Sequence, residues 1–160
     1  MAVEIREARF PVDLPDLLRL FREYADGLGV DLAFQDFEAE LAGLPGRYLA
    51  PTGGLWLATI GTDAVGCAAM RMIEAKICEM KRLYVRPALR GQGIGRRLAE
   101  QVVNSAKKAG YEQICLDTLP SMGDAIRLYY LLGFQPIQPY CHNPIPGAMF
   151  LGLTLKRNQE

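Results

Sequence analysis

The chain has 160 residues, half of them hydrophobic, and its 18 basic residues balance 18 acidic ones. A chain of this length and composition buries enough apolar surface to fold without disulfides or structural metals, so we expect a single domain over residues 1–160. Zero net charge argues against a nucleic-acid partner. No stretch approaches eighteen uninterrupted apolar residues, which argues against a membrane partner.

The N-terminus and the cysteines favour a cytoplasmic protein. Residues 1–6 lack the basic start and the long apolar run of a signal peptide. The four cysteines form no C-x-x-C pair, and His142 is the single histidine, so no common zinc spacing is present. The neighbouring Cys141 and His142 have no second histidine or matching carboxylate pattern. We therefore expect reduced thiols and no metal.

Hydrophobic periodicity and turn residues predict ten elements in chain order. Asp13 and Pro15 form a helix start, as N-cap and first-turn proline. Ile94, Leu98 and Val102 lie on one helical face. The predicted strands are 3–9, 55–60, 64–73, 77–85, 113–118 and 148–156, and the predicted helices are 14–28, 34–44, 93–109 and 122–132.

This order predicts a mixed α/β (α+β) domain. The three strands between residues 55 and 85 are joined by short turns, which indicates an antiparallel meander. The strand 77–85, the helix 93–109 and the strand 113–118 form a unit that predicts a right-handed parallel crossover.

The turn between strand 77–85 and the next helix is typical of an anion site. Gly91, Gly93 and Gly95 precede or open the helix, where free N–H groups and the helix dipole favour a phosphate. A Rossmann dinucleotide motif, G-x-G-x-x-G, is excluded because Arg96 or Leu98 stands where it requires the third glycine. A Walker loop is excluded because the sequence has no G-K-[ST]. The alternative is that the glycines serve only a tight turn and close helix packing. Six basic residues and no acidic ones occur nearby, either to attract an anion or as a solvated face: Lys81, Arg82, Arg86, Arg90, Arg96 and Arg97.

Three motifs in order resemble the GNAT superfamily of N-acetyltransferases over nearly the whole chain. The first is the strand EMKRLYVRP at residues 79–87. The second is RGQGIGRRL at 90–98, which fits the family signature [QR]-x-x-G-x-[GA]. The third is AIRLYYLLGF at 125–134, which is similar to the family helix A-x-x-L-Y-x-x-x-G-F.

The resemblance implies a V-splayed, mostly antiparallel sheet that binds acetyl-CoA between its two arms. Pantetheine is expected against the main chain of Leu83, Tyr84 and Val85. The pyrophosphate is expected at the turn formed by Arg90, Gly91, Gln92, Gly93, Ile94, Gly95 and Arg96. One departure from the family is Met122, which stands where many members have an asparagine, so that contact to pantetheine is not expected; Ser121 or Asp124 are its possible replacements.

The resemblance also implies direct transfer of acetyl to an amine, without an acyl-enzyme. Tyr129 matches the tyrosine that protonates the departing thiolate; the alternative is a packed helix aromatic. Glu79 lies where the family often keeps a carboxylate that takes the ammonium proton; the alternative is an ordinary strand glutamate paired with Lys81. A main-chain N–H near Leu83 is the expected oxyanion donor.

The acceptor is expected to be a primary amine of a small molecule or peptide. The proline-rich segment 136–147 is expected near the acceptor entrance, where Tyr140 or His142 lines it. The acidic first helices favour a cationic amine or simply form an exposed face. A non-catalytic acyl-CoA-binding or sensing module is the alternative function. The sequence is compatible with a homodimer.

Overall fold

The computed structural model describes residues 2–155, in which seven strands form one sheet and four α-helices cover its faces. The helices are α1 (Leu14–Leu28), α2 (Phe37–Ala42), α3 (Ile94–Lys108) and α4 (Gly123–Leu131). The strands are β1 (Val3–Glu7), β2 (Gly54–Ile60), β3 (Asp63–Glu74), β4 (Ile77–Val85), β5 (Gln113–Thr118), β6 (Gln135–Pro136) and β7 (Met149–Thr154).

The sheet has the order β1-β2-β3-β4-β5-β7-β6. Strands β2, β3 and β4 form the expected antiparallel meander, and β4 and β5 form the one parallel pair of the described sheet. The mixed, mostly antiparallel sheet flanked by helices confirms the expected fold class. Strands β4 and β5 are parallel because α3 carries the chain back between them.

Two hydrophobic clusters lie on opposite faces of the sheet. Alternate residues of a strand point to opposite faces, so Ala68 of β3 faces α3 whereas Ala69 faces α1 and α2. Leu98 and Val102 of α3 are completely buried on the first face. Leu17 of α1 is completely buried on the second. The sheet is therefore held from both sides.

The predicted helix 34–44 is interrupted. A 3₁₀ turn at Ala33–Gln35 precedes α2, and Asp36 between them has a φ of 54°. A right-handed helix cannot continue through a left-handed residue, so the prediction of one continuous helix was wrong. Gln35 and Glu40, on the two sides of the break, both bond Arg82 of β4.

Other predicted boundaries differ by small amounts. Helix α1 begins after Asp13, as predicted, but the Asp13 carboxylate makes no cap hydrogen bond and instead accepts bonds from Arg6 and from the Arg9 N–H. Strand β6 was missed because it has two residues, one of them a proline, which a sheet tolerates at its edge. Lys156, the predicted end of the last strand, lies outside the described residues.

Candidate active site

The sheet opens between β4 and β5. These parallel strands pair at Ile77–Gln113, Cys78–Ile114 and Glu79–Cys115, and no later register joins them in the described chain. Strand β4 nevertheless continues to Val85 and β5 to Thr118. The backbone edge of β4 beyond Glu79 therefore faces an opening, and its N–H and C=O groups on that side are available to a ligand.

A β-bulge lies on β4 at this opening. The pairing with β3 shifts between Cys67–Tyr84 and Ala69–Lys81, so that two residues, Arg82 and Leu83, stand opposite one. Arg82 has a φ of 59°, which is uncommon for a residue with a side chain. The bulge turns the backbone at Leu83 out of the regular ladder.

Arg82 stabilises this bulge from the α1 and α2 side of the sheet. Arg82 is 2% exposed, and its guanidinium bonds both carboxylate oxygens of Glu40, at 3.0 and 2.8 Å. A third bond, at 2.9 Å, goes to Gln35. The guanidinium also lies over the rings of Tyr24 and Phe37. A buried arginine with these partners holds the strained residue in place.

A groove of about 710 Å³ runs from the opening to the start of α3; we call it the glycine groove. Tyr24 and Leu28 of α1 form one wall, and Ala125 and Leu128 of α4 form another. Eight of the ten residues predicted to bind the cofactor line it: Leu83, Tyr84, Val85, Arg90, Gly91, Gly93, Ile94 and Gly95.

The glycines of the turn differ in the reason for their presence. Gly91 and Gly93 have φ values of 83° and 81°, and Gly93 is the N-cap of α3, so the turn itself requires them. A Cβ on Gly95 would meet Val85 at 3.7 Å and Leu128 at 3.9 Å, which are ordinary contacts. Close packing of the protein on itself therefore does not explain Gly95, whereas the approach of a ligand would.

The side chains of the turn point to few ligand contacts: Gln92 and Arg96 do not line the glycine groove, and Arg90 is engaged by the protein itself. Gln92 and Arg96 are exposed, and Arg96 pairs with Glu100 one turn along α3. Arg90 donates to the Val85 carbonyl at 2.9 Å and lies over the Tyr84 ring. The turn thus offers the groove backbone groups and Gly95 rather than a row of projecting arginines.

Acidic partners for the basic run come from the N-terminal helices. Glu23 of α1 bonds Arg86 and the Tyr84 hydroxyl, and Glu40 of α2 bonds Arg82. These contacts tie α1 and α2 to β4. Glu23 and Glu40 are two of the acidic residues in the N-terminal helices that were considered as a binding surface for a cationic amine. In the structure both are paired with residues of the protein itself.

A small pocket, the junction pocket, lies at the opening itself. Leu83 of β4, Asp117 of β5 and Tyr129 of α4 line it together with Thr118 and Met122. The Tyr129 side chain is 5% exposed and its ring packs against Phe134. Burial raises the pKa of the Tyr129 phenol above its ordinary value, so the hydroxyl keeps its proton at neutral pH.

Glu79 lies at the last paired position before the opening and is 1% exposed. Arg71 donates to one carboxylate oxygen at 2.8 Å, and the Tyr140 hydroxyl donates to the other. Burial alone would raise the pKa of Glu79, but the charges of Lys81 and Arg71 and the two hydrogen bonds lower it. Glu79 is therefore an ionised carboxylate with both oxygens engaged.

A second pocket of about 550 Å³, the outer pocket, opens on the α1 and α2 side of the sheet. It shares Gln35, Lys81 and Asp117 with the junction pocket, so the two adjoin. Arg47 and Arg71 line the outer pocket but not the junction pocket. Cys141 and His142, from the segment 136–147, also line it.

Sequence reasoning missed Gln35, Arg47, Arg71 and Asp117. None belongs to one of the three motifs. Two of them are related to Glu79 by strand pairing. Arg71 lies on β3 directly opposite Glu79, and Asp117 lies on β5 two residues after Cys115, which pairs with Glu79. Same-face neighbours of a known site residue follow from strand register, but the register itself is a tertiary fact.

No helix of residues 2–155 is long and apolar enough to cross a membrane. Within the same residues, no group of three His, Cys, Asp or Glu side chains is placed to hold a metal ion.

Residues 14–134 match the family model of the acetyltransferase (GNAT) family. The chain belongs to this family. The matched range includes α1, β4 with its bulge, the glycine turn, α3, β5 and α4, which supply most of the lining of the glycine groove and the junction pocket. The expected family and the expected class of enzyme, an acyltransferase, are thereby confirmed.

Relatives of this GNAT chain match it over nearly its whole length. A protein of Schizosaccharomyces pombe named as an uncharacterized N-acetyltransferase is 39% identical, over 97% of this chain and 96% of its own. An uncharacterized N-acetyltransferase of Dictyostelium discoideum is 30% identical, over 98% of this chain and 100% of its own.

Solved structures agree with the GNAT fold. A GNAT acetyltransferase of Staphylococcus aureus superposes with a TM-score of 0.81 at 22% identity, covering 97% of this chain and all of that one. An acetyltransferase of Salmonella typhimurium, solved with acetyl-CoA, has a TM-score of 0.75 at 20% identity and covers 100% of this chain and 98% of its own.

Proposed function

We propose that this GNAT enzyme transfers the acetyl group of acetyl-CoA directly to a primary amine of a small molecule or peptide. One observation carries the proposal: the glycine groove, the junction pocket and the outer pocket adjoin one another at the opening in the sheet. Leu83 lines the first two, and Asp117 lines the last two. Two substrates, one in the glycine groove and one in the outer pocket, would meet at the junction pocket, which Tyr129 lines.

The glycine groove fits an acyl-CoA. The free backbone edge of β4 from Leu83 to Val85 can bond the amides of pantetheine as a neighbouring strand would. The turn before α3 presents backbone N–H groups and the positive end of the helix dipole to a pyrophosphate. An added Cβ at Gly91 or Gly93 meets nothing within 4 Å, so the turn is open on that side. The family relative from Salmonella typhimurium that was solved with acetyl-CoA supports the same ligand.

Each step of the transfer has a candidate group. The neutral amine attacks the acetyl carbonyl, and a main-chain N–H near Leu83, displaced by the bulge, stabilises the oxyanion. The C–N bond forms, the C–S bond breaks, and the Tyr129 hydroxyl gives its proton to the thiolate. A thiol has a pKa near 8.5 and a phenol one of about 10 or more, so the acid is protonated when the thiolate leaves.

The adduct loses an N–H proton as the amide forms, which balances the proton that Tyr129 gives to the thiolate. Before the attack the bound ammonium loses its first proton, and Glu79 is the proposed acceptor of that proton. Because both of its oxygens are engaged, the proton reaches it through water or through the Tyr140 hydroxyl, which passes its own proton to Glu79 as it receives another. Asp117 is the competing carboxylate. Asp117 is half-buried and lines both the junction pocket and the outer pocket. The side-chain amide of Asn143 donates to its carboxylate at 3.0 Å.

Glu79→Gln and Asp117→Asn separate these two bases. If Glu79 is the base, Glu79→Gln lowers kcat/KM by roughly 100-fold, the usual size of a general-base effect, and Asp117→Asn lowers it far less. In the unsubstituted enzyme kcat/KM should fall only below the ordinary pKa of a glutamate, because the folded-state pKa of Glu79 is lowered. Measuring kcat/KM against pH for the three proteins checks this. The reverse order of effects would assign the proton to Asp117.

Gly93→Asp tests the phosphate site. We expect acetyl-CoA affinity to fall at least tenfold, because a carboxylate at the start of α3 repels the pyrophosphate and blocks its approach. Calorimetric titration with acetyl-CoA measures the loss. Gly61→Asp is the matched control, since Gly61 also has a positive φ, of 60°, and open space around it, but lies in the β2–β3 turn. Equal losses in both variants would show backbone strain rather than a phosphate site.

The alternative, a non-catalytic acyl-CoA-binding module, is distinguished by the same titration followed by an assay. Binding of acetyl-CoA with release of free thiol on addition of an amine supports the enzyme. Binding without thiol release for any amine supports the module. No binding of acetyl-CoA would overturn both.

A further inference from the structure

The outer pocket has an ordered arrangement of charge. Asp117 lies at its inner end, where the pocket joins the junction pocket. Arg47 and Arg71 line the outer pocket but not the junction pocket. An acceptor in this pocket therefore meets Asp117 and Lys81 where the two pockets adjoin, and two guanidinium groups in the part that belongs to the outer pocket alone.

The two arginines keep donors for a ligand. Arg71 uses Nε on Glu79, and Arg47 uses one terminal nitrogen on the Met72 carbonyl at 2.8 Å; these are the bonds that each makes within residues 2–155. A guanidinium has five N–H donors, so most remain unused. Paired arginines bind a carboxylate with charge-assisted, often bidentate hydrogen bonds.

The other charges of the pocket are largely paired. Glu40 is neutralised by its two bonds to Arg82. Lys81 lines both pockets, as Asp117 does, and its ammonium group interacts with the charges of Glu79 and Asp117 and donates to Gln35 at 3.2 Å. Asp36 is exposed at the rim. The charged groups left for an acceptor are therefore Asp117, with Lys81 near it, and the N–H donors of Arg47 and Arg71 that no group within the described residues uses.

We propose that the acceptor is an amine that bears a carboxylate, of the amino-acid class. Its ammonium group lies toward Asp117 and its carboxylate is held by Arg47 and Arg71. An amine without a carboxylate would leave the charge of Arg47 and the remaining N–H donors of Arg71 unmatched, and a polyamine would place a second cation against them. The proposal rests on the proposed acetyl transfer, because the direction of the acceptor follows from where the acetyl group is presented.

The test compares matched acceptors. Each common amino acid, its amide and its decarboxylated amine are assayed with acetyl-CoA for release of free thiol. We expect kcat/KM to be at least tenfold higher for the free acids. Arg47→Gln should raise the KM of the preferred acid about tenfold, because one charge-assisted hydrogen bond is lost. The KM of the corresponding amide and the KM of acetyl-CoA should not change. Arg47→Lys, which keeps the charge, should recover part of the loss.

Arg22→Gln is the control for the change in net charge, since Arg22 pairs with Glu38 on an exposed surface outside the three pockets. A second readout does not need turnover: the CoA-bound protein is titrated with the N-acetylated form of each acid and of each amide. Tighter binding of the acids, weakened by Arg47→Gln, supports the carboxylate site.

The failures of the two proposals differ. If acetyl-CoA binds and amides or decarboxylated amines are acetylated as well as the acids, the carboxylate proposal is overturned and the transferase stands. The carboxylate proposal is also overturned if no free acid is acetylated and no N-acetylated acid binds better than its amide. Failure to bind acetyl-CoA overturns the proposed function itself.

Discussion

Replacing Tyr129 by phenylalanine is expected to lower kcat by roughly 100-fold or more, with acetyl-CoA affinity nearly unchanged. The variant loses the hydroxyl that protonates the departing thiolate but keeps the ring that packs on Phe134. The fold should therefore survive. Steady-state release of free thiol gives kcat, and calorimetric titration gives the dissociation constant of acetyl-CoA.

Tyr130→Phe is the matched control for that variant, because the neighbouring Tyr130 is 45% exposed and lines none of the three pockets. The unsubstituted enzyme should keep its acid up to and beyond pH 10, since burial raises the pKa of Tyr129. Turnover that is unchanged in Tyr129→Phe across this range would remove the acid role and leave Tyr129 as a packed aromatic.

Arg82→Met is expected to lower the free energy of unfolding by about 3–5 kcal/mol, the usual cost of removing one partner of a buried ion pair. The substitution leaves the Glu40 carboxylate, 12% exposed, without either of its bonds to Arg82. It also removes the bond to Gln35 and the stacking on Tyr24 and Phe37. Denaturant unfolding followed by circular dichroism measures the change.

Arg22→Met gives the comparison for Arg82→Met. It breaks the exposed pair with Glu38, at 3.3 Å, and should change stability by less than about 1 kcal/mol. Similar, small effects for the two variants would show that the buried pair does not hold the bulge. If Arg82→Met is stable enough to assay, loss of turnover beyond the loss of folded protein would link the bulge to the reaction.

Several elements could be predicted from local pattern because their periodicity is uninterrupted. Helix α3 has Ile94, Leu98 and Val102 on one buried face, and it begins at the glycine turn where the spacing places it. The helix 34–44 could not be bounded in this way. Asp36 adopts a left-handed conformation in the structure, and the surrounding hydrophobic pattern contains no sign of it.

The glycine groove was also accessible to prediction, since Gly91 and Gly93 carry their conformational requirement in the sequence. The basic run was a weaker guide. Arg82 and Arg86 bind acids of the N-terminal helices, and Arg90 bonds the backbone of its own turn. A basic side chain interacts with the acidic groups that the fold places near it, and these often belong to the protein rather than to a ligand.

The sequence by itself determined the order of elements, the glycine turn, the three motifs and, through them, the family and the expected positions of Glu79 and Tyr129. The tertiary structure decided what lies around these residues. The opening between β4 and β5 depends on where their pairing stops, and the outer pocket joins Gln35, Arg71 and Asp117 from three separate segments. Local pattern reports the residues of one segment, whereas a binding pocket is set by long-range register and packing between segments.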